Sequence, residues 1–295
     1  MKSEEIKISI GIPTFNSSKY LKECIKSVII HSVVDEIIVS DDGSNQAEVT
    51  KIIQIIKKFK SSKNIDIKLI VNKVNKGAYE NKLKLIKKAK NNFVYILDSD
   101  NLAGKNLDYI VKNNLAKDSD KTYLFQPNTL YQFTKFPKLS KLFSKYINKF
   151  VVQFYDKDVL LDKYKVRDSL ILNSGNYNLN DFDFDENNLL ITNDENSLNL
   201  KSKWIFWILN CGNFIVNKNI FEEIASDGLE FDRSIRSVDA IVFSFLWLRS
   251  GKEIKIYKDF YHHHRKRIDS VSFSERDSSK KAITYFIKKI LYDFV

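Results

Sequence analysis

Only 2 cysteines occur in the 295 residues, Cys24 and Cys211. They form neither a metal-ligating spacing nor a disulfide framework, so a reducing compartment is the expectation. No apolar run reaches the length of a membrane span. The opening stretch, MKSEEIKISI, carries two glutamates and no long apolar core, and does not read as a signal peptide. No internal repeat is visible. The 8 glycines and 3 prolines go with an abundance of Lys, Ile and Asn, a compositional bias that also accounts for part of the charge. What is in excess is positive charge: 48 Lys and Arg against 37 Asp and Glu give +11. That balance favours an anionic partner such as nucleic acid, a phosphorylated small molecule or a membrane surface. The lysines are scattered rather than interleaved with aromatics, and no nucleic-acid motif is present, so nucleic acid is not the expected partner. With 43% hydrophobic and 29% charged residues, the composition is ordinary for a globular protein. The length admits one large domain or a domain with an added lobe.

The first 118 residues alternate regularly. Residues 6–16 read as a buried strand ending in a turn. Residues 18–31 show helical spacing, with Leu21, Cys24, Ile25 and Val28 on one face. A second strand (35–44), a helix (47–60), a third strand and loop (65–77), a helix (78–90) and a fourth strand (92–100) follow. Such alternation argues for an α/β fold, a mostly parallel sheet with helices on both faces. Ligands of such sheets sit beyond the carboxyl ends of the strands. The segments PTFN, SDDGS and LDSDN all fall there.

The last of these raises a question of its own. In YILDSDN, residues 95–101, a buried strand ends directly in two carboxylates around one serine. An unpaired buried carboxylate is costly. A helix cap would explain one such residue. Two carboxylates one residue apart in an extended turn can also face one hard cation, which prefers oxygen ligands.

The second half is less regular. Residues 122–133 read as a strand pair or one long strand, and 136–150 as a basic amphipathic helix after Pro137. Residues 173–199, rich in Asn and Asp, read as an irregular loop. Residues 203–224 are strongly apolar around Cys211, Gly212 and Asn213. Residues 236–251 read as a helix ending at Gly251, and 252–273 as a strand running into YHHHRKR. On an extended segment His262 and His264 share one face, with His263 opposite. One histidine there can complete a metal shell or meet a diphosphate oxygen, and Arg265 and Arg267 can meet phosphate. A plain polar loop is the competing reading.

The order of SIGIPTFN, EIIVSDDGSN, NKGAYENKLKLIKKA and VYILDSDN, with GNFIVNKNIFEEI and DAIVFSFLWLRSG further on, resembles the family-2 glycosyltransferases of the GT-A fold. The resemblance is strong over 6–115, moderate over 203–273 and absent over 134–202. It implies a Rossmann-like sheet flanked by helices. Residues 1–118 would form the nucleotide-sugar-binding half, 119–273 the acceptor-binding half with an irregular insertion at 134–202, and 274–295 a C-terminal amphipathic helix. It implies inverting, metal-assisted single displacement of a sugar, with a UDP-sugar as donor and a glycan, lipid-linked or protein acceptor, as in polysaccharide biosynthesis. Carried over by position, the donor side would comprise Pro13, Thr14, Asn16, Asp41, Asp42, Lys76, Asp98, Ser99 and Arg265. Asp100, joined by His262 and His264, would hold Mn2+ or Mg2+. Asp239 would be the catalytic base, although Val238 stands where the family has a glutamate, and a surface-helix aspartate is the competing reading.

A sugar-phosphate nucleotidyltransferase is the rival enzyme, but its glycine-rich loop after the first strand is missing here. A non-catalytic binding protein of the same fold is the rival of another class. The expected location is cytoplasmic. Peripheral contact with an anionic membrane at its inner face is a further expectation from the basic amphipathic stretches 135–150 and 280–294. Packing of those stretches on the core is the alternative.

Overall fold

The structure is a computed structural model, and it describes residues 5–60, 65–133, 151–171, 209, 211–225, 239–266, 285, 286, 289, 290 and 293. The helix expected over 136–150, the irregular stretch 173–199, Arg267 and most of 274–295 lie outside these residues.

Strands β1 (Ile8–Thr14), β2 (Val34–Asp41), β3 (Asp66–Val71) and β4 (Phe93–Ile96) alternate with helices α1 (Ser18–Val28), α2 (Gln46–Lys60) and α3 (Ala78–Lys88). A short β5 (Leu102–Ala103) leads into α4 (Leu107–Tyr109), which continues as a π-helical turn over Ile110–Leu115. Beyond it lie β6 (Tyr123–Phe133), β7 (Val151–Gln153), β8 (Val159–Leu161), α5 (Lys163–Ile171), β9 (Phe214–Asn217), α6 (Lys218–Ala225), α7 (Asp239–Arg249) and β10 (Glu253–Arg265). Residues 122–133 thus form one long strand rather than a pair.

The strands make a single sheet in the order β3-β2-β1-β4-β9-β6-β10-β5, with β7 on β6 and β8 on β10. β1 runs parallel to β2 and β4, and β2 parallel to β3. β9 is antiparallel to both β4 and β6, and β10 is parallel to β6. It follows that β1, β2, β4, β6 and β10 all end on one edge of the sheet, and that β9 begins there. The inserted antiparallel strand was not legible as such, because its run Phe214, Ile215 and Val216 is continuously apolar and gives no alternating pattern. The sheet is continuous across residue 118.

The β1 and β4 strands are buried at every position, as expected for parallel strands covered on both faces. One face packs α1, α2 and the π-helical turn, through Leu21, Ile25, Ile52 and Ile110. The other packs α3, α6 and α7. There Phe243 sits among Tyr79, Phe214 and Phe221, with ring centroids 4.9, 5.2 and 5.0 Å away. Phe286 and Ile290 are buried in the same cluster, Phe286 against Phe245 at 5.5 Å. At these two positions the apolar stripe of the C-terminal stretch packs on the core, which is the alternative to the membrane reading. Among the described residues no helix is long and apolar enough to cross a membrane. Both cysteines are free and buried.

Candidate functional site

The sheet edge where the parallel strands end collects most of the polar residues singled out above. Pro13 and Thr14 close β1, and both are buried. The Thr14 hydroxyl lies 2.8 Å from that of Ser17, which lies 2.8 Å from that of Ser99. This buried chain of hydroxyls ties the turn after β1 to the turn after β4. Asn16, exposed and in the left-handed region at φ 49°, donates its backbone N–H to Ser44 Oγ at 2.8 Å.

The two aspartates after β2 have different partners. Asp41 accepts from the Ser44 hydroxyl at 2.6 Å and from its backbone N–H at 2.9 Å. Asp42 accepts from the backbone N–H groups of Lys76 (3.0 Å) and Gly77 (2.8 Å) and from Asn72 Nδ2 (2.8 Å). Asp42 therefore shapes the loop leading into α3, and Lys76 meets it through its backbone while its side chain is exposed. Gly43 has φ +77°, and a Cβ there would lie 2.6 Å from the backbone of Val74 and Asn75. Only glycine fits this turn without strain.

The turn after β4 carries the two carboxylates. Asp98 donates its backbone N–H to Asn213 Oδ1 at 2.8 Å. Since that oxygen accepts, Asn213 Nδ2 is the donor toward His262 Nε2, 3.3 Å away. The bond takes up the lone pair that a metal would need on Nε2, and burial lowers the His262 pKa well below its usual value. His264 lies on the same face, 6.0 Å from His262 between ring centroids, while His263 packs against Tyr131 and Tyr261. Burial lowers the pKa of His264 against the opposing pull of Asp100 and Asp98. Both rings are neutral at neutral pH, the form that can ligate a cation.

The expected trio of Asp100, His262 and His264 does not come together as a ligand set. Among the described residues no three His, Cys, Asp or Glu side chains form a group able to hold a metal. His262 is engaged with Asn213 instead, at 3.3 Å. The donor set that remains is Asp100, half-buried at the turn, and His264 within its field. A carboxylate and an imidazole suit Mn2+ or Mg2+ when a phosphorylated ligand brings further oxygens.

Arg265 is held by protein groups. Its backbone N–H donates to Asn101 Oδ1 at 3.0 Å, its Nε to the Asp100 carbonyl at 3.1 Å, and its terminal nitrogen to Glu23. The guanidinium lies between the rings of Tyr20 and Phe133, at 4.7 and 4.4 Å. It braces the turn that presents Asp100.

At the centre of the edge is a residue the sequence reading missed. Lys82, on α3, is buried, with its Nζ 2.8 Å from Asp98 Oδ1 and 2.7 Å from Asp239 Oδ2. It also donates to the Gly212 carbonyl at 3.0 Å. The Asp239 contact is an ion pair whose angles fall short of a hydrogen bond at Oδ2. Burial alone would depress the Lys82 pKa, but the carboxylates of Asp239 and Asp98 outweigh it and hold the ammonium charged. Asp239 opens α7 and is buried, so it is no surface aspartate. Burial raises its pKa; Lys82 opposes the rise and Asp98 adds to it. Two carboxylates sharing one ammonium leave Asp239 less acidic than an ordinary aspartate. Gly212 forms the floor: a Cβ there would lie 2.9 Å from Asp98 Oδ2 and 3.0 Å from Lys82 Nζ.

A signal for Lys82 was present. It falls three residues after Tyr79 and four before Ile86, on the buried stripe of α3, where an unpaired lysine is almost never found.

The model of glycosyl transferase family 2 matches residues 9–168. No curated protein matches the chain. Among solved structures, S. aureus TarS 1-349 in complex with UDP superposes with a TM-score of 0.55 at 17% identity, over 98% of this chain and 70% of that one. The same protein in complex with UDP-GlcNAc gives 0.57 at 18% identity, over 98% and 71%. GalNAc-T7 with UDP, GalNAc and Mn2+ gives 0.54 at 15% identity, over 90% and 44%. At such identities the likeness is one of fold.

Proposed function

Because the chain belongs to glycosyl transferase family 2 and has the GT-A fold, we propose that it moves a sugar from a UDP-sugar to an acceptor hydroxyl or amine with inversion. The observation that carries this reading is the meeting of Asp98 and Asp239 at one sheet edge, 2.8 and 2.7 Å from the same buried ammonium. One carboxylate belongs to the strand-end turn of the donor half and the other to a helix of the acceptor half. A direct displacement requires donor and acceptor to meet in this way.

The roles are those that the family resemblance implies at these positions. Thr14 and Asp41 border the place for the nucleotide base, with Pro13, Asn16 and Asp42 shaping the turns around it. Asp98 and Ser99 face the ribose, and Lys76 offers an exposed charge to phosphate. Asp100 and His264 would hold the divalent cation, which when bound supplies charge to neutralise the leaving diphosphate. Asp239 takes the acceptor's proton; a single displacement needs no protein nucleophile. The UDP and UDP-GlcNAc complexes of TarS and the Mn2+ complex of GalNAc-T7 support the choice of donor and metal.

A thermal-shift screen of nucleotides and nucleotide-sugars with Mn2+ tests the proposal. UDP and UDP-sugars are expected to raise the unfolding midpoint most, since a ligand at a hundredfold its Kd stabilises by about 2.7 kcal/mol. Equal shifts for all nucleotides, or none, would remove the uridine assignment.

A further inference from the structure

We propose that Lys82 is a positioning residue that holds the base Asp239 ionised and fixed against the donor-side turn; this rests on the reading of Asp239 as the base. An ammonium has three N–H bonds to give. The ammonium of Lys82 donates one to the Gly212 carbonyl at 3.0 Å and forms ion pairs with Asp239 Oδ2 at 2.7 Å and Asp98 Oδ1 at 2.8 Å. These oxygens come from α7, the turn after β4 and the start of β9. Lys82 therefore joins four separate parts of the chain at one buried point, with 4% of its side chain exposed.

The charge is as specific as the geometry. Asp239 Oδ2 is buried with no hydrogen-bond donor aligned on it, so the Lys82 charge is what offsets the cost of burying the carboxylate. Without that charge a buried carboxyl neutralises instead, and a neutral carboxyl cannot accept a proton. The charge of Lys82 is shared between the two carboxylates, at 2.7 and 2.8 Å. The part of Lys82 is to keep the base charged and aimed.

Two measurements on the full chain test this. The first is a thermal-unfolding cycle of Lys82→Met, Asp239→Asn and the double variant. Lys82→Met is expected to lower the midpoint, and adding Asp239→Asn to recover most of the loss, because the cost of burying or protonating an unpartnered carboxyl is then gone. Losses that merely add would overturn the proposal. This cycle reads the pair whether or not the chain transfers sugar.

The second is steady-state transfer from a UDP-sugar. Lys82→Met is expected to lower kcat by about a hundredfold or more, the range of a lost general base, with donor KM within about threefold of wild type. Lys82→Arg, which keeps the charge, is expected to recover most of kcat. A raised donor KM with unchanged kcat would make Lys82 a donor contact and overturn the proposal. Absence of transfer by the wild-type chain would count against the glycosyltransferase reading and leave the unfolding cycle to decide on Lys82.

Discussion

Asp239 and Asp98 lie in nearly the same field, yet the chemistry asks different things of them. Asp98 keeps 31% of its side chain exposed and Asp239 only 12%. Burial raises the Asp239 pKa, which moves it toward the working range of a base. Two outcomes follow. Asp239→Asn should retain UDP binding and lose transfer by about a hundred- to ten-thousandfold in kcat; a loss below tenfold would place the base elsewhere. The sign of the pH dependence also follows. As the proposed base, Asp239 must be ionised, and its pKa lies above that of an ordinary aspartate, so activity should fall as pH drops through that raised value. The acidic limb of a kcat profile should therefore lie above the usual aspartate range, and a limb at or below it would contradict the burial argument. His262 and His264 have lowered pKa values and should add no limb near neutral pH.

Among the elements, α7 carries the most structural weight. Its residues from Asp239 to Leu248 are all buried, so it is a core helix with one carboxylate at its start. Phe243 interlocks with rings from α3, β9 and α6. Phe243→Ala should cost about 3–5 kcal/mol, the range for a buried Phe truncated to a cavity, measured by chemical denaturation; a cost near zero would mean the cluster recloses. The sequence made much of this legible. The alternation of β1 to β4 with α1 to α3 was readable because parallel strands covered on both faces give continuous apolar runs ending in polar turns, as at Asp41 and Asp98. β9 was hidden because a short continuous apolar run does not show its direction or its partners. Lys82 was hidden because a lysine in a lysine-rich chain draws no notice until its helical face is counted. The engagement of His262 by Asn213 depends on two segments about fifty residues apart meeting, which no local pattern encodes.

For the whole molecule, the continuous sheet is what brings the Asp98 turn and the start of α7 together. β9 runs between β4 and β6, which places Gly212 and Asn213 directly beside the Asp98 turn. The C-terminal stretch belongs to the same body through Phe286 and Ile290. Deleting residues 280–295 should therefore lower the unfolding midpoint, and an unchanged midpoint would show that this packing adds nothing. The formal charge of +11 suits a phosphorylated donor. Whether the chain uses one is tested most directly by UDP release from UDP-sugars with Mn2+, comparing wild type with Asp100→Ala. The account predicts metal-dependent release by the wild type, and its loss in the variant at an unchanged unfolding midpoint. No release from any UDP-sugar by the wild type, or metal-stimulated release by the variant near the wild-type rate, would contradict it.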